Sequence, residues 1–188
     1  LNIFFSPVVN AARAIAYQVN GVVTQFTESF CVAVKPQLYK AYSAGEFQNL
    51  YKLINQSTIL SVFLSSVLAI PLMINSQFIL SLWLKNVPDF TVQFTTIVLV
   101  TGLIESTNTS AIVPALATGN IKKFEIVTGT LAIANLPISY IALKLGAPAY
   151  VTMLIASCLA FITMIWRAFL LKDLINLPYL KYLSVIFR

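Results

Sequence analysis

The feature that most constrains this chain is a series of apolar runs, each of which is long enough to cross a bilayer. A membrane-spanning helix needs about 20 predominantly apolar residues. Five stretches meet this requirement, namely 11–34, 53–74, 92–118, 126–143 and 148–171. The first is more polar than the others, and its assignment rests on its helical periodicity. The sequence therefore predicts an all-α, multi-span transmembrane helix bundle of about five spans.

The composition supports a lipid environment rather than an aqueous one. Of the 188 residues, 59% are hydrophobic and only 10% are charged, whereas a soluble domain carries about 25% charged residues. With 12 Lys and Arg and 6 Asp and Glu, a soluble fold of this length could not cover its surface with charge. This argues against a soluble enzyme, a disordered chain and a nucleic-acid-binding protein.

The basic residues indicate the orientation of the spans, because cytoplasmic loops are enriched in Lys and Arg. One set of alternate connections carries two cations, Lys85 and Lys144, or three if Arg13 is included. The other set carries eight, which are Lys35, Lys40, Lys52, Lys122, Lys123, Lys172, Lys181 and Arg188. We therefore expect a cytoplasmic C-terminus and, with five spans, an external N-terminus. Because the chain begins without Met or a basic signal sequence, we also expect it to be the C-terminal part of a larger protein.

Residues typical of catalysis and metal binding are scarce. The chain has no His, and its two Cys lie far apart in apolar runs, where they are expected to pack as small hydrophobic residues. No Ser or Thr lies next to a base in a recognisable catalytic motif, and the sequence contains no phosphate-binding loop motif. We expect neither an enzyme nor a bound metal or cofactor.

The first predicted span carries a polar stripe. At about 100° per residue, seven residues fall within a sector of about 120° around the helix. They are Tyr17, Gln18, Gly21, Thr24, Gln25, Glu28 and Lys35. We interpret the stripe as the wall of a water-filled cavity. The alternative is that these groups only hydrogen-bond neighbouring helices.

A second polar group lies in the third predicted span. Thr101, Glu105, Asn108 and Thr109 share one face, the last three of them within the run ESTNTS, and Pro114 follows. A charge at mid-membrane costs roughly 2.5–3.5 kcal/mol on insertion scales, so Glu105 is expected to face protein or water rather than lipid. Cavity lining and a proline-kinked helix with local hydroxyl bonding both account for this pattern.

Two cations lie near the two ends of the first span, and a third lies in the last span. Arg13 and Lys35, near the two ends of the first span, could attract an anionic head group. Alternatively, each could extend its charge to the nearest membrane interface. Arg167 lies near the end of the last predicted span and is also expected to reach the interface.

Five blocks of sequence, in order, resemble the C-terminal part of bacterial polysaccharide (O-antigen, Wzx-type) flippases of the multidrug/oligosaccharidyl-lipid/polysaccharide flippase superfamily. They extend over nearly the whole chain and read SPVVNAARAIAYQVNGVVTQF, AVKPQLYKAYSAGE, FILSLWLKNVPDFT, ATGNIKKFEIV and LPISYIALKLGAPA. None of the blocks is a catalytic signature.

The resemblance implies a fold of two helical lobes around a central cavity, of which this chain would form most of the second lobe. It implies an inner-membrane protein that moves undecaprenyl-diphosphate-linked oligosaccharide by alternating access. Its partners would be this substrate, membrane lipid and the missing N-terminal lobe, but no nucleic acid. By analogy, Arg13 and Lys35 are candidates for binding diphosphate or acidic sugar, and Glu28 is a candidate for binding a coupling ion. Gln18 and Gln25 would bond sugar hydroxyls. Glu105 and Asn108 of the third span are further candidate cavity-lining residues.

Other functions compete with this interpretation. The main alternative is a multidrug/ion antiporter of the same superfamily, for which a more aromatic and more acidic site is expected. A membrane enzyme acting on polyprenyl substrates would need grouped acids near one membrane face, but Glu46, Glu125 and Asp173 are scattered. A non-catalytic assembly subunit would have no need of a wet interior.

Overall fold

The described part of the chain is built entirely of helices. The computed structural model describes residues 4–109, 112–119 and 122–175, and within these ranges there are seven α-helices and no β-strand. The helices are α1 (Pro7–Ser43), α2 (Phe47–Ile74), α3 (Ser76–Trp83), α4 (Thr91–Ser106), α5 (Ile112–Ala117), α6 (Lys122–Lys144) and α7 (Val151–Ile175). The predicted all-α class is confirmed.

Helix α1 is unusually long. It begins at Pro7, whose fixed φ suits a first helical position, and it ends before Gly45, which adopts a φ of +71° that favours glycine. Its 37 residues correspond to about 55 Å at 1.5 Å per residue, which exceeds the hydrocarbon core of about 30 Å. The predicted first span, 11–34, is therefore only the central part of a longer helix.

Among the residues that the structure describes, three helices are long and apolar enough to cross a membrane. They are Phe47–Ile74, Phe124–Lys144 and Val151–Ile175, and they correspond to the predicted spans 53–74, 126–143 and 148–171. In Phe124–Lys144, only 6% of the most apolar 18-residue stretch is buried against protein. Such exposed apolar helices are suited to contact with lipid, and the chain has the character of a membrane protein.

The predicted span 92–118 is not one continuous helix. Helix α4 ends at Ser106, residues 107–109 form turns, and α5 begins at Ile112. The hydroxyl groups of Ser106 and Thr107 donate to the carbonyl oxygens of Leu103 and Ile104, at 2.8 and 2.6 Å. Such side-chain bonds compete with the helical backbone pattern, and they give a physical reason for the break in the ESTNTS run. Ser110 of that run lies outside the described residues.

Two apolar clusters show that α1, α4 and α7 run parallel to one another and antiparallel to α2. One cluster joins the start of α1 to the starts of α4 and α7, through Val9, Ala12, Phe94 and Met153. The other joins the end of α1 to the start of α2, to α5 and to the end of α7; its buried members are Leu38, Ala41, Leu50, Ile54, Val113, Ala115, Ala168, Leu171 and Ile175. Each end of the bundle therefore has its own packed core.

The helices α1, α4, α7 and α6 pack side by side in that order. Helix α2 packs against α1 and α4. A hydroxyl pair, Thr27 with Ser65 at 3.1 Å, and a thiol–hydroxyl pair, Cys31 with Ser61 at 2.9 Å, link it to α1. Within the described ranges, α1 and α6 do not pack extensively against each other. They flank an open groove, the α1–α6 groove, whose floor is formed by α4 and α7.

Candidate functional site

A cavity of about 320 Å³ lies beside the break between α4 and α5. We call it the central cavity. The polar side chains among its lining residues come from α1, α2, α4, the turn after α4 and α7; they are Thr24, Thr27, Glu28, Lys35, Ser65, Glu105, Ser106, Asn108, Thr109 and Arg167. The cavity therefore combines hydroxyl, amide, carboxylate and cationic groups in one recess.

Helix α1 supplies one wall because three of its side chains share a face. Thr24, Glu28 and Lys35 are spaced at i, i+4 and i+11, which places them within about 60° of one another around the helix. Glu28 is exposed, and Thr24 and Lys35 are half-buried. This wall can present a hydroxyl, a carboxylate and an ammonium group to a ligand.

The helix break supplies the opposite wall. Glu105 lies in the last turn of α4 and is exposed to the cavity, and Asn108 lies in the turn that follows. Asn108 is only 4% exposed, and its Oδ1 atom has no hydrogen-bond partner among the described residues. A buried amide oxygen without a partner is costly, so it marks a position where a ligand or water would be held.

Arg167 of α7 is a cavity residue that the sequence analysis assigned to the membrane interface. Its guanidinium lies 5.0 Å from the centroid of the Phe124 ring, and it lines two cavities together with Glu105. The signal was present in the sequence, because Arg167 lies inside the predicted span 148–171. An arginine within a span usually faces the bundle interior or a water-filled cavity.

Two smaller cavities adjoin the central one. The first, of about 180 Å³, extends towards α6 and includes Thr128 and Asn135 as well as Glu105 and Arg167. The second, of about 120 Å³, lies between α1, α4 and α7 and also includes Glu105. Glu105 is therefore the carboxylate shared by three recesses in the interior of the bundle.

A fourth cavity, of about 220 Å³, lies at the other end of the groove. We call it the terminal cavity. Arg13 and Tyr17 contribute to it from α1, Asn135 and Tyr140 from α6, and Met153 from α7. Tyr17 and Met153 also line the small cavity that includes Glu105, so the two cavities are neighbours and share part of their walls.

The structure separates the seven predicted site residues into three groups. Glu28, Lys35, Glu105 and Asn108 line the central cavity, and Arg13 lines the terminal cavity. Gln18 and Gln25 are exposed on α1 and do not line any of these four cavities.

The chemistry of the central cavity is that of a polar binding site. Its charged lining residues are two carboxylates and two cations, Glu28, Glu105, Lys35 and Arg167, so their formal charges cancel. In the part of the chain that the structure describes, no three His, Cys, Asp or Glu residues are grouped so as to hold a metal ion. A mixture of hydroxyl and amide groups with charges of both signs suits a polyhydroxylated or zwitterionic ligand, since each of its polar groups can find a partner.

Comparisons of the chain with protein-family models, with curated proteins and with solved structures find no match.

Proposed function

We propose that this chain belongs to a transporter of lipid-linked oligosaccharide, in which an undecaprenyl-diphosphate-linked repeat unit crosses the bacterial inner membrane for surface polysaccharide biosynthesis. In this proposal α1 and the interrupted pair α4–α5 cross the membrane together with the three apolar helices. They form most of one lobe of a two-lobe protein, with the C-terminus in the cytoplasm.

The observation that carries the proposal is the central cavity beside an interrupted helix. Transporters place substrate sites at discontinuous helices, because freed backbone groups and half-helix ends are polar and can be satisfied only next to a cavity. Here Glu105 and Asn108 lie at such an interruption, and Glu28 and Lys35 face them from α1. The resemblance of five sequence blocks to polysaccharide flippases supports the same function.

Mutation of the α1 wall tests the proposal. In a bacterium whose surface polysaccharide depends on the full-length protein, Glu28→Gln and Lys35→Ala should each lower glycan display about tenfold or more. This is the scale of a lost charge-assisted hydrogen bond of about 1.5–3 kcal/mol. Lys40→Ala and Glu125→Gln are matched controls, because both residues are exposed and neither lines the cavity. Normal display in both cavity variants at normal protein levels would refute the assignment.

The two carboxylates of the central cavity also favour a second candidate, a cation-exporting antiporter. Glu28 and Glu105 could bind an organic cation, although Lys35 and Arg167 in the same cavity oppose it. Expression of the full-length protein distinguishes the two functions. Resistance to cationic dyes that is lost in Glu28→Gln, together with unchanged glycan display, would support the antiporter and exclude the flippase.

A further inference from the structure

Arg167 lies inside the bundle, at the junction of two cavities. It is eight residues before the end of α7 at Ile175, about 12 Å along the helix axis. It lines the central cavity and also the cavity of about 180 Å³ that extends towards α6, which we call the side cavity. Glu105 and Asn108 also line both. A cation inside an apolar spanning helix is costly, so its position marks a functional group.

An aromatic ring of a different helix holds the Arg167 side chain. The Cζ atom of Arg167 lies 5.0 Å from the centroid of the Phe124 ring, in the first turn of α6. Two other cation–π contacts among the described residues each lie within one helix; they are Arg13 with Tyr17 and Lys172 with Phe169. Phe124 is 4% exposed, whereas Tyr17 and Phe169 are 44% and 49% exposed. The contact of Arg167 with Phe124 is therefore expected to be the strongest of the three, because burial removes water from the cation.

Phe124 contacts the guanidinium from the protein side rather than from a cavity. It lines none of the four cavities, whereas Arg167 lines two of them. Among the described side chains of α6, only Phe124 and Leu143, near its two ends, are buried. A cation–π contact attracts the positive charge and uses none of the N–H donors, which in arginine match a carboxylate or phosphate in pairs. The ring therefore positions the charge without touching a ligand in either cavity.

The charge of Arg167 sets the electrostatic balance of both cavities. In the side cavity it is the one cation among the described lining residues, and Glu105 is the one carboxylate. In the central cavity, removal of Arg167 would leave Glu28, Glu105 and Lys35, with a formal charge of −1. An uncompensated negative charge repels an acidic ligand group, and this repulsion is strong where water is scarce. Arg167 is therefore placed to distinguish acidic from neutral ligands.

We propose that Arg167 makes the joined central and side cavities selective for ligands that carry an acidic group, and that Phe124 is the positioning residue that holds its guanidinium at the junction. The acidic group is a carboxylate or a phosphate ester, since both accept paired hydrogen bonds from arginine. The proposal rests on the central cavity being the binding site of the proposed function. It adds two residues to which the sequence analysis assigned no part in that site.

Two probes that differ in one carboxylate test the selectivity. The purified full chain, in nanodiscs of zwitterionic lipid, is titrated with methylumbelliferyl glucuronide and with the corresponding glucoside, and binding is measured by fluorescence anisotropy. The unmodified chain should bind the glucuronide more tightly. Arg167→Gln should reduce the ratio of glucuronide to glucoside affinity by about tenfold to a hundredfold. Arg167→Lys should retain part of this ratio, because it keeps the charge but not the paired donors.

Fluorination of the Phe124 ring separates positioning from packing. Mono-, di- and trifluorophenylalanine at position 124 withdraw π electrons in steps and nearly keep the shape of the side chain. The ratio of the two affinities should therefore fall in steps, by about threefold to thirtyfold over the series. Lys172→Gln and Phe169→Leu are the matched controls, because these residues form a cation–π contact in α7 and neither lines any of the four cavities.

Several results would overturn the proposal. Equal affinity of the unmodified chain for the two probes, or binding of neither, would remove the selectivity. An unchanged ratio in Arg167→Gln would assign the selectivity to another group, and an equal loss in Lys172→Gln would indicate attraction by diffuse charge. Fluorination that changes both affinities alike, or changes neither, would show that the Phe124 ring has only a packing role.

Competition identifies the acidic group. Stronger displacement of the glucuronide probe by glucuronic acid supports a carboxylate, stronger displacement by glucose 1-phosphate supports a phosphate ester, and displacement by neither overturns the proposal. Loss of glycan display in Glu28→Gln and Lys35→Ala, together with equal binding of the two probes, would remove the selectivity and leave the transport proposal intact. Selective binding that depends on Arg167, together with normal display in those two variants, would support the selectivity and refute the transport function.

Discussion

The close contact between α1 and α4 at Gly102 predicts how Gly102→Ala changes the free energy of unfolding. A Cβ atom added to Gly102 would lie 2.2 Å from Oδ1 and 3.2 Å from Cγ of Asn20, whereas ordinary contacts of a Cβ atom are 3.4–4 Å. Gly102→Ala therefore requires the Asn20 side chain to move by more than about 1 Å. Overpacking of this kind typically costs about 1–3 kcal/mol.

Helix propensity opposes this cost. Replacement of a helical Gly by Ala stabilises a helix by about 1 kcal/mol when nothing else changes. The net effect of Gly102→Ala should therefore be a destabilisation of about 0–2 kcal/mol. If Asn20 is first replaced by Ala, the obstructing atoms are absent, and the same Gly102→Ala change should become stabilising. Oδ1 of Asn20 has no hydrogen-bond partner among the described residues, so Asn20→Ala breaks no bond of that atom.

A double-mutant cycle measures this reversal of sign. The free energy of unfolding is determined in mixed detergent micelles for the unmodified chain, both single variants and the double variant, and we expect a coupling of about 1–3 kcal/mol. Gly129→Ala is the control, because Gly129 is inside α6 and a Cβ atom there would meet nothing within 4 Å. If Gly102→Ala stabilises the chain as much as Gly129→Ala does, the close approach of α1 and α4 inferred here is wrong.

Two further predictions concern the α1–α2 contact and the membrane position of α3. Ser65→Ala removes the hydrogen-bond partner of Thr27 at 3.1 Å and should lower the free energy of unfolding by about 0.6 kcal/mol, the usual value for an interhelical bond in membrane proteins. Thr27→Ser keeps the hydroxyl group and is the comparison. Equal free energies of unfolding in Ser65→Ala and Thr27→Ser would contradict the prediction. Trp83 is 57% exposed at the end of α3, so in a chain in which Trp166 is replaced by Phe its fluorescence should be quenched more by lipids brominated near the headgroup than at the chain ends. Stronger quenching by the deep label would place α3 within the hydrocarbon core.

Hydrophobic run length predicted three helices, Phe47–Ile74, Phe124–Lys144 and Val151–Ile175, because apolar runs of this length require internal hydrogen bonding in lipid. It did not predict the interruption after Ser106, since the competing bonds from Ser106 and Thr107 to backbone carbonyls depend on the local rotamers rather than on the hydropathy. The turns at residues 107–109 divide one expected span into α4 and α5.

The burial pattern of α1 shows a second reason why sequence reasoning was incomplete. The large apolar residues Val22 and Phe26 are 67% and 44% exposed, whereas Ala12 and Ala16 are fully buried. In a bilayer, lipid tails are as apolar as these large side chains, and small residues are favoured between helices because they allow close packing. Hydrophobicity therefore does not identify the buried face of a membrane helix.

The sequence predicted which candidate residues share a face of one helix, but not which residues of different helices lie together. Helical periodicity places Glu28 and Lys35 on one face of α1, and it equally places Gln18 and Gln25 near that face. Only the packing of α4 and α7 against α1 decides that Glu28 and Lys35 share a cavity with Glu105 and that the two glutamines do not. Relations between helices depend on contacts that a single-helix projection does not contain.

The contact of Asn20 with Gly102 lies closer to the start of α1 than to its end, so the two parts of the helix on either side of this contact differ in length. Lys35 is about 22 Å from Asn20 along the helix and Arg13 is about 10 Å away, at 1.5 Å per residue. A tilt of α1 by about 10° about this contact would displace Lys35 by about 4 Å and Arg13 by about 2 Å. The Lys35 end of the central cavity would then move about twice as far as Arg13 for the same tilt, whereas Glu28, about 12 Å from Asn20, would move about 2 Å.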